Sequence, residues 1–413
     1  MPKRLVLYGW TIVTIFAVAF IVVGTSRPQA GRIVERKALG EGRFAVELLS
    51  APYQLDRVYM SMQGPRSNLP GIRLAQDADD AETIWLTGVE SRMVDAKTLA
   101  GESNDYFCHA NLTLNPDTTN PQRHNASLGN AAHADWRFFT LIPGRMEMHL
   151  PEGFGLPVKN GTLLDYFTMS LNQNPGQPER TVRVSTQVYY RRQVDGGPPI
   201  RPLFRRALYV YQQHEDDPAR LLSLGSNHDG RHQGELCGTI CPANQRGATP
   251  SLFAAVGDLD GHPGASCCVK SASQGGIVDQ FGPENTIHWM VPPGRHRYRT
   301  EVTEQLDLPF DTTVHYVTGH LHPFGESLKL VDIQTKTVLL DVSAESFSDR
   351  LGVAKMSELH SRGGIPIYQG RRYELLAQYN NTSGGPIDAM AILYFYALDE
   401  PRGGATPGDL AGK

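Results

Sequence analysis

At 413 residues, 40% hydrophobic and 20% charged, the chain has an ordinary globular composition and exceeds the size at which one core keeps growing, which predicts two domains. The 39 basic and 43 acidic residues are scattered and leave a net charge of −4, so the electrostatic footprint of a nucleic-acid partner is missing. Also missing are a Gly-x-Ser-x-Gly elbow, a phosphate-binding Gly-Lys-Ser loop, a dinucleotide-binding glycine fingerprint and a haem-attaching Cys-x-x-Cys-His.

In chain order, Lys3 and Arg4 precede an uncharged apolar run over 5–24, about the 20 residues that a helix needs to cross the hydrocarbon core. No small-residue cleavage site closes it, so residues 1–25 read as a signal anchor rather than a cleaved signal. Positive charge on the short leading side keeps that end in the cytosol and puts the body on the extracytoplasmic side, periplasmic or lumenal, where disulfides are permitted. Residues 26–40 read as a polar tether.

From there on, short apolar alternations are punctuated by Gly, Pro and Asn, as over 44–49 and 181–190, while helical periodicity is scarce. The expectation is all-β: two tandem antiparallel, jelly-roll-like sandwiches over 41–200 and 201–402, with Gly196-Gly-Pro-Pro-Ile-Arg-Pro202 as the linker and 403–413 as a flexible tail. A faint repeat supports the pairing. Phe139-Thr-Leu-Ile-Pro-Gly-Arg145 echoes Trp289-Met-Val-Pro-Pro-Gly-Arg295, and the strand ending Ser170-Leu-Asn172 echoes the one ending His320-Leu-His322. The segment 212–285 reads as an elaborated loop region, with a helical turn or two at 217–224.

That region holds four of the five cysteines. Cys237, Cys241, Cys267 and Cys268 can close two bridges in any of three connectivities; adjacent cysteines rarely bond each other, which favours each of Cys267 and Cys268 pairing with one of the other two. Cys108 is left as the odd thiol. With His228, His232 and His262 the same segment also offers zinc-type ligands, although no tight zinc spacing, and Asp258-Leu-Asp-Gly-His262 is a weak calcium-loop echo better read as a turn. Sequons stand at Asn111, Asn125, Asn160, Asn380 and Asn381, of consequence only in a eukaryotic secretory setting.

The sharpest chemical signal is late. Residues 312–322 read as a strand, on which His320 and His322 share a face. Residues 387–396 read as a second strand, carrying Met390, that could lie alongside. Two imidazoles and a thioether form a soft set suited to redox copper. With 14 histidines a chance His-x-His is common, and a methionine in an apolar strand is usually core packing. On an unbroken strand His315 faces away from the pair, as a structural or supporting histidine, and spacing gives His288, His296 and His360 no partners.

Val317-Thr-Gly-His-Leu-His322 and Thr382-Ser-Gly-Gly-Pro-Ile-Asp-Ala-Met-Ala-Ile-Leu-Tyr-Phe-Tyr396, with Leu150-Pro-Glu-Gly-Phe-Gly-Leu-Pro-Val158 and Tyr166-Phe167 in the first half, resemble the copper type II, ascorbate-dependent monooxygenases, the family of peptidylglycine alpha-hydroxylating monooxygenase and dopamine beta-monooxygenase. The resemblance implies one copper held by His320, His322 and Met390, with Tyr394 as a possible substrate contact. It departs elsewhere. The family's adjacent histidine pair at its electron-transfer copper is Cys108-His109 here, the distant third histidine is Asn172, and the carboxylate-gripping arginine is Thr318, so a second copper site would be degenerate and a glycine-extended peptide an ill-fitting substrate.

The functional expectation is a membrane-anchored copper monooxygenase acting on a small substrate with an electron donor that the sequence does not name. A copper-binding, electron-transfer or metal-delivery protein, or a non-catalytic sandwich subunit of a membrane complex, are the alternatives.

Overall fold

The computed structural model describes residues 30–59, 64–115, 137–193, 198–213 and 285–402. The expected anchor, Cys237, Cys241, Cys267 and Cys268 with the zinc and calcium alternatives around them, the helical turn at 217–224 and the tail lie outside the described residues. Among the described residues no helix is long and apolar enough to cross a membrane. The regular structure described is strand, apart from a short α-helical turn at Thr303–Leu306 and a 3-10 turn at Asn104–Tyr106.

One eleven-stranded sheet runs in the order Arg32–Gly40, Arg43–Leu49, Arg180–Arg192, Thr83–Asp95, Phe154–Lys159, Arg201–Tyr209, Ala391–Leu398, Thr312–Leu321 and Glu358–Ile367, with Tyr53–Leu55 and Glu147–His149 paired beside it. A four-stranded sheet (Arg66–Ile72, Leu164–Ser170, Phe107–Leu114, Arg137–Leu141) covers its first part, and the two share a core that includes Val46, Leu86, Val184, Leu112 and Tyr166. A five-stranded sheet (Gly294–Glu301, Tyr373–Asn381, Gly325–Asp332, Thr337–Ser346, Val353–Met356) does the same for the later part, around Leu328, Leu375, Val317, Leu393 and Phe395. Leu330, Leu375 and Leu393 are each 0% exposed, and every such side chain taken from water contributes about 1.5–3 kcal/mol.

Two expectations need correcting. The tether over 26–40 contains the strand Arg32–Gly40, which pairs with Arg43–Leu49 at the end of the large sheet. Most of its side chains face solvent, so it shows no apolar alternation, and its charges blunt an exposed edge. The linker, likewise, ends in a strand: Arg201–Tyr209 joins the first half through a short parallel ladder, Arg201 opposite Phe154 and Pro202 opposite Gly155. Buried Arg205 and Arg206 disguised it. Arg206 donates to the carbonyls of Leu306, Arg205 and Asp307 at 2.9, 3.2 and 3.1 Å, and burial pulls its pKa down to about 10. Every other ladder described is antiparallel.

Three sequons are inaccessible in the folded chain, since Asn111, Asn160 and Asn381 are buried. Asn160 and Asn381 spend their amides on backbone carbonyls.

Candidate metal centre

The strand Thr312–Leu321 lies between Ala391–Leu398 and Glu358–Ile367. His320 is opposite Ile392 and Leu321 opposite Ala391, and the His322 N–H donates to the Met390 carbonyl at 3.4 Å, which sets Met390 against His322. The ladder puts His320 and Ile392 on one face, while His322 and Met390 lie just beyond its last pair, at the strand break, joined there by the His322 N–H bond to the Met390 carbonyl. Tyr379 fastens this corner: its hydroxyl donates to the Met390 carbonyl at 2.6 Å and lies 3.3 Å from the His322 N–H. Gly319 lets Leu328 and Met356 pack close beside it: a Cβ there would stand 2.7 Å from Leu328 Cδ1 and from Met356 Cε, and either side chain end would have to move aside.

The strand expected over 387–396 is broken at Met390. Ile387–Ala389 leaves to pair with Trp289–Val291, Trp289 opposite Ala389 and Met290 opposite Asp388, while Ala391–Leu398 enters the large sheet. That change of partner delivers His288, which spacing left isolated, to the same corner.

Four polar side chains gather there. The His320 and His322 ring centroids are 5.1 Å apart with planes at 81°, and His288 lies 5.5 Å from His322. Asp388 reaches both neighbours, with Oδ2 3.0 Å from His322 Nδ1 and Oδ1 3.4 Å from His288 Nδ1. Donor atoms of His288, His322 and Asp388 all lie within 4.8 Å of one another. Asp388 Oδ2 stands at ion-pair distance from His322 Nδ1 and meets no strict hydrogen-bond geometry among the described residues. His320 Nδ1 is buried and also lacks a hydrogen-bond partner there.

Burial, then the neighbouring His322, His109 and His288, holds the His320 pKa well below its usual value, against an opposing pull from Asp388. A neutral imidazole is the ligand form. Burial by itself would raise the Asp388 pKa, but His322 and His288 outweigh it, so the carboxyl titrates well below the ordinary range and stays charged. Met390 is 5% exposed and belongs to the apolar cluster that includes Ile387, Ala389 and Ile392.

The other residues singled out by sequence lie as follows. Cys108 is buried, with Sγ 3.3 Å from His109 Nδ1. His109 stands opposite Met169, 5.4 Å from the Phe167 ring, and burial followed by Arg137 and Arg66 drives its pKa down to about 3. Asn172 is a turn residue whose Oδ1 accepts the Asn174 N–H at 2.9 Å. Thr318 is opposite Tyr394 and donates to the Ser357 carbonyl. Tyr394 is 2% exposed beneath the Arg205 guanidinium at 4.5 Å, and burial raises its pKa; as found, the phenol is enclosed rather than facing solvent.

The strand is not unbroken at His315. A bulge between Val314 and Tyr316 interrupts the alternation, and His315 packs on Phe154 at 4.3 Å, with Nδ1 2.8 Å from the Ser361 carbonyl and Nε2 2.9 Å from Thr313 Oγ1. Both nitrogens are used structurally. His296 and His360 have local contacts, to the Pro293 carbonyl and to Glu358. A cleft of about 540 Å³ between the two halves, with Glu90, Arg92, Asp105, Arg145, Glu147 and Lys355 among its lining, contains none of the four gathered side chains.

No family model matches the chain, and no curated protein does. Among solved structures it is similar to PNGase F, a glycosylasparaginase from Flavobacterium meningosepticum, with 8% identity and TM-score 0.31 over 85% of this chain and 97% of that one. A peptide-N(4)-(N-acetyl-beta-D-glucosaminyl) asparagine amidase gives 8% and 0.29 over 85% and 97%, and the vicilin of Corylus avellana (hazelnut) 9% and 0.16 over 87% and 77%. Likeness this slight carries neither fold nor function across.

Proposed function

We propose that this chain is a membrane-anchored, extracytoplasmic copper protein of two jelly-roll-like sandwiches, resembling the copper monooxygenases, that hydroxylates a small substrate at a single centre formed by His320, His322 and Met390. The observation that carries the reading is closeness: the His320 and His322 rings 5.1 Å apart, the His322 N–H bonded to the Met390 carbonyl, and a buried His320 Nδ1 without a hydrogen-bond partner among the described residues. The donor set fits a soft, redox-active ion.

Copper, when bound, supplies the dioxygen and one-electron chemistry. The chain's own contribution is positional. Burial keeps His320 neutral, Tyr379 ties the backbones of His322 and Met390 together, and Gly319 lets Leu328 and Met356 close against the strand behind them.

A second reading, a copper carrier or delivery protein, is favoured by the first half. There Asn172 serves a turn and His109 sits within the influence of Arg137 and Arg66, an environment adverse to the second copper that a two-electron hydroxylation draws on. Metal analysis of protein produced with copper should give one copper per chain, lost in His320→Ala and Met390→Ala. Reductant-dependent oxygen uptake with ascorbate then favours the oxygenase, and stoichiometric copper without any uptake across a broad substrate panel favours the carrier. Wild-type protein that takes up no copper sinks both.

A further inference from the structure

The gathered corner contains a second donor set that the copper reading leaves idle. We infer that His288, His322 and Asp388 form a binding site for a divalent first-row cation of the zinc or cobalt kind, independent of Met390. The three come from separate segments: His288 precedes Trp289–Val291, Asp388 lies on Ile387–Ala389, and His322 follows Thr312–Leu321. Pairing of the first two strands and the His322 N–H bond to Met390 hold them together without any ion.

The chemistry of the set differs from that of its neighbour. Two imidazole nitrogens and a carboxylate oxygen suit borderline divalent ions, whereas copper(I) prefers a thioether to a carboxylate. With ligand bonds of about 2.0–2.2 Å, donors around one ion stand up to about 4 Å apart. The Asp388 contacts, at 3.0 Å to His322 Nδ1 and 3.4 Å to His288 Nδ1, already satisfy this, and the outer limit of 4.8 Å for the whole set needs only a small closure. A purely structural carboxylate cluster would be expected to align its hydrogen bonds. Asp388 Oδ2 instead stands at ion-pair distance from His322 Nδ1 and meets no strict hydrogen-bond geometry among the described residues, an arrangement that an ion would relieve. Three protein donors leave at least one position open for water or an oxyanion. His322 belongs to both sets. Its Nδ1 stands 3.0 Å from Asp388 Oδ2, and its second nitrogen, Nε2, lies beyond Cε1.

The test uses the full chain in detergent, stripped of metal and titrated with cobalt(II), whose visible absorption reports an imidazole and carboxylate environment directly. One equivalent should bind. Asp388→Asn and His288→Gln should each weaken it by more than about tenfold, Asp388→Glu should restore part of the loss, and Met390→Leu should leave it unchanged. Circular dichroism identifies any variant that fails to fold, in which case the Asp388→Glu and Met390→Leu pair decides. No cobalt binding by the wild type, binding that survives both Asp388→Asn and His288→Gln, or equal loss in Met390→Leu overturns the assignment. Copper(I) uptake by the same Met390→Leu protein reads the copper proposal separately, so either can fail alone.

Discussion

His109 in the first half and His320 in the second are both imidazoles held in the neutral form by burial, with cationic neighbours pushing the same way at each, but only at His320 does a carboxylate oppose that push. Arg137 and Arg66 act on His109, whereas His320 shares its corner with the Asp388 carboxylate. Strand geometry can present a ring nitrogen in either place. The difference between the two places is the Asp388 carboxylate, and charges in contact inside a protein are only weakly screened.

The most damaging way to break this contrast is to remove the ring common to both donor sets. His322→Ala should abolish copper and cobalt uptake together, read by metal stoichiometry, and should cost about 3 kcal/mol in urea unfolding by leaving a largely buried carboxylate short of its partner. Retained binding of either ion would dissociate the two sets.

Acid comes next. The folded-state pKa of His109, about 3, lies below the ordinary value of 6.5, so across that window the unfolded chain binds a proton that the folded one refuses. Stability should therefore rise with pH from about 3 to about 6.5 and decline on acidification, and His109→Gln should flatten the decline in a series of thermal melts. An unchanged acid profile in the variant would show that the burial seen for His109 has no thermodynamic weight. The smallest effect is expected from Tyr379→Phe, which removes the hydroxyl's two bonds and leaves only the His322 N–H to Met390 carbonyl bond, at a cost of about 1–2 kcal/mol, and should weaken copper(I) binding with the fold intact. Full copper affinity in that variant would mean that the backbone tie does not position the ligands.

Much of the strand content was legible because alternation survives wherever one face is buried. Residues 44–49 and 181–190 were expected and Arg43–Leu49 and Arg180–Arg192 are found. Arg32–Gly40 escaped because an exposed edge strand imposes no pattern, and Arg201–Tyr209 because buried arginines satisfied by carbonyls look polar in a sequence. At the site, His320, His322 and Met390 could be grouped from period two and a neighbouring strand. His288 and Asp388 could not. They are 100 residues apart and meet only because the chain changes sheets at Met390, a break that an apolar run does not announce.

The brief parallel ladder between Phe154–Lys159 and Arg201–Tyr209 gives the two halves a common spine. The two halves thus share one continuous sheet, and the path from His109 to the His320 corner runs through paired strands instead of a free linker.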